Sequence, residues 1–516
     1  MSRMLGTGVE RVLYALAGSG LIVANIWVIV PSLFVLRLWE DEAFNLTVPL
    51  NLLDGLGYTS DGTLSGSTLT PFDARISTGP VVLLPVAAVI GLGADPVIGG
   101  RSIALLFWIA LVAGAFVLGR AAAGRWGGLV GAAVPLALNI NQLPSPVQGP
   151  TDILGEIPSA ALIVWALVAA RRRPWLGGLL VGLAVQAKFI ALLAIPALAV
   201  FVFFSAKGEP FWARVRRVLP AAGVAAATAA AVELWRLLAL GPAGYFDWLR
   251  EFAWFLLSGG QPDHRTSALA KALLVLESWF VPAAVAAVVA LVAIAGVVAL
   301  FVLARRSPAA VDELIVEDGL WPLRDQVLLA ITGLIGTATY VAWWGVSSHT
   351  PLWIRHPSPG LLSFAPVIVA SALLGWRALA RFARSSAETS DAAARPRARG
   401  LVLRGASLLA MAAIGASVAA GVIGHVGAAD PGRETLASQR AVAAQIAALR
   451  EVEESDWLAV QWGSAVSIAV LAGKHVGLTD AGEAVRSYPW MSTGEPQAPC
   501  DELLQVSFFV VCAPAR

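Results

Sequence analysis

The chain has 516 residues, 58% hydrophobic and 14% charged, with a formal net charge of +2. Its mean hydropathy of +0.74 excludes a soluble globular protein, and the near-neutral charge gives no electrostatic case for binding nucleic acid. Lipid forces backbone polar groups to pair internally and no β-barrel alternation is present, so the sequence reads as an all-α polytopic membrane protein.

The first apolar run, near residues 12–36, is long enough to cross a bilayer, which takes roughly 20 residues. Its length and the bulky Leu36-Arg37-Leu38-Trp39 that follows are unlike a cleaved signal peptide, so it is expected to stay as an anchor. Three acids, Glu40-Asp41-Glu42, come directly after it. The apolar run from Val81 to Leu92 is short, interrupted by Pro85 and flanked by glycines, which fits an interfacial helix inside one large external loop, 37–100. Further spans are expected near 101–119, 126–140, 156–170, 174–187, 189–206, 218–240, 273–304, 328–346, 359–376 and 402–424, giving about eleven in all. This arrangement puts Arg120 and Arg125, Arg171-Arg172-Arg173, Arg214 to Arg217, Arg305-Arg306 and Arg377 to Arg384 on one side of the membrane. The positive-inside rule makes that side cytoplasmic, with the N-terminus inside and the C-terminal segment outside.

Beyond residue 424 the character changes. A linker, Gly427-Ala428-Ala429-Asp430-Pro431-Gly432, precedes an amphipathic helix over 438–454, where Val442, Ile446, Leu449 and Val452 recur at helical spacing. Strand-like runs at 457–460 and 507–511, with a helix at 465–471 between, complete a small α/β extracytoplasmic domain, 425–516, set apart from a membrane domain, 1–424. The two cysteines, Cys500 and Cys512, lie in it. Two free buried thiols and a disulfide both stay open, and an oxidising compartment favours the disulfide. No metal-ligand spacing of the CxxC or HExxH kind and no Walker-type phosphate loop occurs, and a divalent metal is left open as a cofactor.

Asp41 and Glu42 are the leading catalytic candidates. Crowding of like charges and partial desolvation raise carboxylate pKa values, which suits a general base acting on a hydroxyl from the aqueous side. The simpler account is that the acids mark a helix end in water. Asp152 and Glu156, spaced i and i+4 where the next span begins, form a second acidic pair that can project from one face; the positive end of the helix dipole also explains acids there. Asn139, Asn141, Gln142 and Gln148 lie in the polar stretch just before them. Candidate cations are Arg75, Arg355 and His356 in external loops and Lys188 between apolar runs, where an isolated charge needs a partner or a purpose. An arginine fork at Arg355 can grip a lipid phosphate, although snorkelling also accounts for it. Glu233 and Arg236 read as a structural ion pair.

Taken together these motifs resemble the GT-C glycosyltransferases, and within them the protein-O-mannosyltransferase and aminoarabinose-transferase type (glycosyltransferase families 39 and 83). Asp41-Glu42-Ala43 after the first span is similar to that group's Asp-Glu motif. Asp54-Gly55-Leu56-Gly57-Tyr58, Pro71-Phe72-Asp73 and Thr78-Gly79-Pro80 resemble its first external loop. Gly155-Glu156-Ile157-Pro158, Gly178 to Ala184 ending at Lys188-Phe189, and Arg355-His356-Pro357 resemble its later landmarks. The likeness covers about the first 380 residues and rests on the order of short motifs. It departs from the family at Ile76-Ser77-Thr78-Gly79-Pro80, where a bulkier basic or paired-proline sequence is common, and it shows no Asp-x-Asp metal motif in the first loop.

The resemblance implies transfer of a sugar from a polyprenyl-phosphate donor to an acceptor hydroxyl on a cell-envelope glycan, lipid or protein, with inversion. Asp41 would be the base and Glu42 its neighbour, Asp152 or Glu156 would support acceptor or base, and Arg75, Lys188, Arg355 and His356 would hold the donor phosphate. A transporter or lipid flippase is the alternative, since many helices and an embedded lysine suit one. A scaffold presenting the C-terminal domain is a third reading. Neither requires Asp41.

Overall fold

A computed structural model describes residues 2–62, 69–138, 149–206, 208–258, 266–278, scattered positions between 288 and 305, and residues 321–347, 355–388, 415–423, 434–478, 487–494 and 500–514. The polar stretch 139–148, the linker Gly427–Gly432 and most of the expected spans 273–304 and 402–424 lie outside the described residues.

Helix α1 (Ser2–Phe34) stops before the acidic cluster, and the acids begin a new helix, α2 (Glu40–Leu53). Negative charge is favoured in a first turn, where backbone N–H groups point outward, and Glu42 reaches back to accept from the Trp39 N–H at 3.2 Å. The acids therefore open a new helix rather than close a span. Short strands β1 (Thr59–Ser60) and β2 (Thr70–Pro71) pair antiparallel in the loop that follows. Helix α3 (Pro80–Gly91), with proline in its first turn, is the short helix expected in this loop.

Helix α4 (Pro96–Ala137) joins two expected spans across a break at Ala123 and Gly124, where Gly124 has φ of 74°. Asp95 caps it by accepting from the Val97 and Ile98 N–H groups. Then come α5 (Glu156–Ala170), α6 (Pro174–Ala187), a 3₁₀ turn over Phe189–Ala194 leading into α7 (Ile195–Ser205), and α8 (Phe211–Ser258), broken at Gly241. Helices α9 (Ala268–Ser278), α10 (Leu323–Val346) and α11 (Ser358–Glu388) follow. Among the described residues, α1, α4, α8, α10 and α11 are long and apolar enough to cross a membrane, and α3, α5, α6 and the 189–205 segment are shorter apolar helices. Large apolar side chains on α1, among them Val12, Leu16, Ile22 and Trp27, are exposed, as a lipid-facing helix requires.

The C-terminal helix expected over 438–454 is two pieces, α12 (Leu436–Ala447) and α13 (Arg450–Glu453), parted at Leu449, which leaves helical geometry. A five-stranded sheet of order β4-β3-β5-β7-β6 follows, from β3 (Trp457–Val460), β4 (His475–Leu478), β5 (Trp490–Thr493), β6 (Glu502–Val506) and β7 (Phe509–Cys512). Helix α14 (Ser464–Leu471) links the parallel pair β3 and β4. The last strand starts later than expected because Ser507, at φ 56°, forms a hairpin turn between β6 and β7. Cys500 and Cys512 form a disulfide.

Two cores result. One lies among the membrane helices and includes Trp108, Leu111, Val164, Phe201, Tyr340 and Phe364. The other is continuous from Leu38, α2 and α3 (Phe44, Leu46, Leu83) into the helices and sheet of the C-terminal segment (Leu436, Ile446, Val460, Ile468, Phe509). The C-terminal segment thus shares its hydrophobic packing with the first external loop.

Candidate active site

Glu42 is fully buried, and its two oxygens accept from Arg101 Nε at 3.1 Å, Arg101 Nη2 at 2.8 Å, the Ile153 N–H at 3.0 Å and the Trp39 N–H at 3.2 Å. Arg101 spends its remaining donors on the carbonyls of Ser32, Leu36 and Arg37. With both oxygens occupied, Glu42 ties α2 to α4 and to the turn before α5. Arg101 went unremarked in the sequence reading. The available signal was a charge at the start of an apolar span, which costs too much without a partner.

Asp41, one residue earlier, points the other way. Its Oδ2 accepts from Arg355 Nη1 at 2.6 Å, and the two side chains keep 27% and 18% of their surface exposed, so the pair borders open space. Trp39 lies beside this pair, with the Arg355 guanidinium 6.0 Å and that of Arg37 5.3 Å from its ring centre. Burial opposes the Arg355 charge, but Asp41 and then Glu156 outweigh it and hold the guanidinium above its usual range.

Lys188 finds the partner its setting demands. Its Nζ lies 2.9 Å from Glu156 Oε1 and donates to Ser77 Oγ at 2.6 Å. Glu156 Oε2 is buried without a hydrogen-bond partner among the described residues. Backbone contacts place this pair: Thr78 bridges Lys188 in antiparallel fashion, and the Gly79 N–H donates to the Ala187 carbonyl at 3.0 Å. Thr78 Oγ1 accepts from Asn45 at 3.0 Å and from the Gly155 N–H at 3.1 Å. Two glycines permit the approach, since a Cβ on Gly79 would strike the Gln186 carbonyl and one on Gly155 the Ala187 carbonyl.

Asp152 does not share a helix face with Glu156. The helix begins at Glu156, and Asp152 sits in the turn before it, accepting from the Gly149 N–H at 2.7 Å. Burial first, and Glu42 second, push its carboxyl up to about 7 against the opposing pull of Arg101. His356, in the turn beside Arg355, is pushed down to about 3 by burial and then by Arg355 and Lys188. It is therefore neutral at physiological pH and adds no charge for a phosphate. Arg75 is half-buried in the first loop, two residues before Ser77, with its backbone N–H held by Asp73 at 2.8 Å. Of the expected residues, Asp41, Arg355 and His356 gather with Glu156 and Lys188, while Glu42 and Asp152 lie behind them beside Arg101. Glu233 and Arg236 pair at 2.6 Å, as expected. Among the described residues no three His, Cys, Asp or Glu side chains group as a metal centre.

Residues 155–317 match the sequence model of glycosyltransferase family 87. No curated protein matches the chain by sequence. The fold is similar to that of ArnT from Cupriavidus metallidurans bound to undecaprenyl phosphate, with a TM-score of 0.53 at 12% identity over 97% of this chain and 98% of that one. The apo form of ArnT gives 0.51 at 13% identity, covering 99% and 98%. The oligosaccharyltransferase AglB from Archaeoglobus fulgidus, in complex with an inhibitory peptide and a dolichol-phosphate, gives 0.52 at 11%, covering 90% and 64%. The chain is a glycosyltransferase with the GT-C fold. The family 87 match falls on residues 155–317 and does not confirm the expected placement in families 39 and 83.

Proposed function

We propose that this transferase moves a sugar from a polyprenyl-phosphate donor to an acceptor hydroxyl at the outer face of the membrane, with inversion at the anomeric carbon. ArnT holds undecaprenyl phosphate and AglB a dolichol-phosphate in structures of similar fold, which supports a lipid-phosphate donor here. The observation that carries the reading is the Asp41–Arg355 pair at 2.6 Å, open to the site and beside the Lys188–Glu156 pair at 2.9 Å. A base and two cations on rigid helix ends are what displacement of a phosphate by a hydroxyl demands.

Asp41 takes the proton of the acceptor hydroxyl as its oxygen attacks the anomeric carbon. The bond from that carbon to the phosphate oxygen breaks on the opposite side, and the polyprenyl phosphate leaves with the electron pair. Arg355 and Lys188 offset the charge that develops there. Arg75, on the same loop as Ser77, is a further candidate for the phosphate; Glu156 keeps Lys188 charged and oriented. Residues 1–424 form the catalytic membrane part in this reading, with the N-terminus cytoplasmic and residues 425–516 outside. The acceptor is a cell-envelope glycan, lipid or protein.

Transfer of radiolabelled sugar from a panel of polyprenyl-phosphate donors tests this, using purified wild type and Asp41→Asn. Label leaving one donor only in wild type names the sugar and the base. Full transfer by Asp41→Asn removes Asp41 from the mechanism, and no transfer from any donor by folded wild type removes the donor class.

A further inference from the structure

The backbone from Leu36 to Trp39 leads from the first membrane helix into the helix that carries Asp41. Such an extended connection must have its N–H and C=O groups satisfied. On the membrane side Arg101 binds the carbonyls of Leu36 and Arg37 at 2.9 and 2.8 Å. Leu38 is served from the C-terminal segment, more than 400 residues later (|i−j| of 401 and 429). Its N–H donates to Gln439 Oε1 at 2.6 Å, its carbonyl accepts from Gln439 Nε2 at 3.1 Å, and the Ser467 hydroxyl donates to the same carbonyl at 2.8 Å. The primary amide thus stands in for a strand partner. Leu38 and Ser467 are fully buried, and Gln439 retains 1% of its surface. The attachment continues on both sides of this point: Leu36 bridges Thr435, the Leu436 N–H donates to the Val35 carbonyl at 3.0 Å, and Arg37 reaches Glu434 at 3.3 Å.

We propose that Gln439 and Ser467 are positioning residues for Asp41. They fix Leu38, and through it the first turn that directs Asp41 at Arg355. The C-terminal segment then acts on the rate of the chemical step, through the backbone, rather than on the choice of acceptor. This inference rests on Asp41 being the base.

The test uses the full chain in detergent, with Gln439→Met (equal length, no polar contact), Gln439→Glu (accepts from the Leu38 N–H but cannot donate to its carbonyl), Ser467→Ala, Ser467→Thr and Asp41→Asn. Displacing a reacting group by about 1 Å costs on the order of 10²-fold in rate. Gln439→Met is therefore expected to lower kcat by roughly 10- to 100-fold with the donor and acceptor KM near wild type, and to lower the melting temperature because the buried Leu38 N–H loses its acceptor. Gln439→Glu is expected to fall between, and Ser467→Thr to retain the rate that Ser467→Ala loses by roughly 2- to 10-fold. If Gln439→Met does not fold, the Ser467→Ala and Ser467→Thr comparison carries the same expectation. An unchanged kcat in Gln439→Met and Ser467→Ala beside an inactive Asp41→Asn overturns the proposal and leaves the base reading intact. A change confined to acceptor KM overturns it in favour of acceptor binding. An active Asp41→Asn overturns the base reading, and this proposal with it.

Discussion

Arg355 and Asp41, 314 positions apart in sequence, meet through a hydrogen bond of 2.6 Å between Nη1 and Oδ2. Glu156, which pairs with Lys188, also acts on Arg355 through its charge. On the proposed reading, Asp41 is restrained until the donor phosphate competes for Arg355, and removing Arg355 takes away both the orientation of Asp41 and the compensation of the leaving group.

Arg355→Gln is accordingly expected to lower kcat by about 10²- to 10³-fold, the scale on which single charge-stabilising donors act. Arg355→Lys should recover only part, because an ammonium cannot reproduce the planar fork. Single-turnover transfer from a saturating donor measures this; Arg355→Lys as fast as wild type would show that only the charge matters, and Arg355→Lys no faster than Arg355→Gln would show that the charge alone contributes nothing.

Glu42 and Arg101 make a different prediction although Glu42 adjoins Asp41. Both side chains are fully buried and 2.8 Å apart, and removing one partner of such a pair costs about 3–5 kcal/mol. Glu42→Gln and Arg101→Met should each lower the melting temperature sharply and reduce folded yield. Replacing both at once should not restore stability here, since the carbonyls of Ser32, Leu36 and Arg37 would still lose their donor. A double variant as stable as wild type would show that the carbonyl contacts contribute little.

The arrangement of apolar runs and arginines made the helical bundle and the short helix at Pro80–Gly91 legible in the sequence, because lipid thickness and charge cost act on contiguous residues. Lys188 was legible for the same reason: an apolar surrounding forces a partner, and Glu156 supplies it. Its second contact, Ser77, comes from a loop whose approach depends on Gly79 and Gly155, and no local pattern announces that. Asp41 and Glu42 are adjacent and alike in composition, yet one opens to the site and the other is sealed against Arg101; the turn of the helix that separates them is a tertiary property. The pairing of Leu38 with Gln439 is the extreme case, since a glutamine on an amphipathic helix reads as a solvated face until the fold buries it.

The glycine pair offers a test of Lys188 that leaves every charge in place. A Cβ on Gly155 would meet the Ala187 carbonyl, and the Lys188 Cδ at 3.0 Å, so Gly155→Ala must shift the strand-like segment that presents Lys188. Overpacking of this kind costs about 1–3 kcal/mol. The donor KM is expected to rise with that shift. Gly8→Ala, where nothing lies within 4 Å, serves as the control and should behave as wild type. A donor KM unaltered in Gly155→Ala would argue against Lys188 as a phosphate ligand.

Asp152 sets the expected pH dependence of stability. Its carboxyl, raised from 3.8 to about 7, binds a proton in the folded chain across a range where the unfolded chain has lost it. Its contribution to stability therefore falls as pH rises from about 4 to about 7, the opposite of the trend for a salt-bridged carboxylate. Asp152→Asn removes the titrating group and keeps the shape, so it should melt at a higher temperature than wild type at pH 8 and close to it at pH 4. His356 acts in the opposite sense: its ring stays neutral in the fold down to about pH 3, while the unfolded ring binds a proton below 6.5, so its contribution to stability rises as pH rises from about 4 to about 6.5. Melting curves of wild type, Asp152→Asn and His356→Gln across pH 4 to 8 separate the two groups: the melting temperature should rise with pH in Asp152→Asn and fall with pH in His356→Gln, and a slope unchanged from wild type in either variant would remove that residue from the titration.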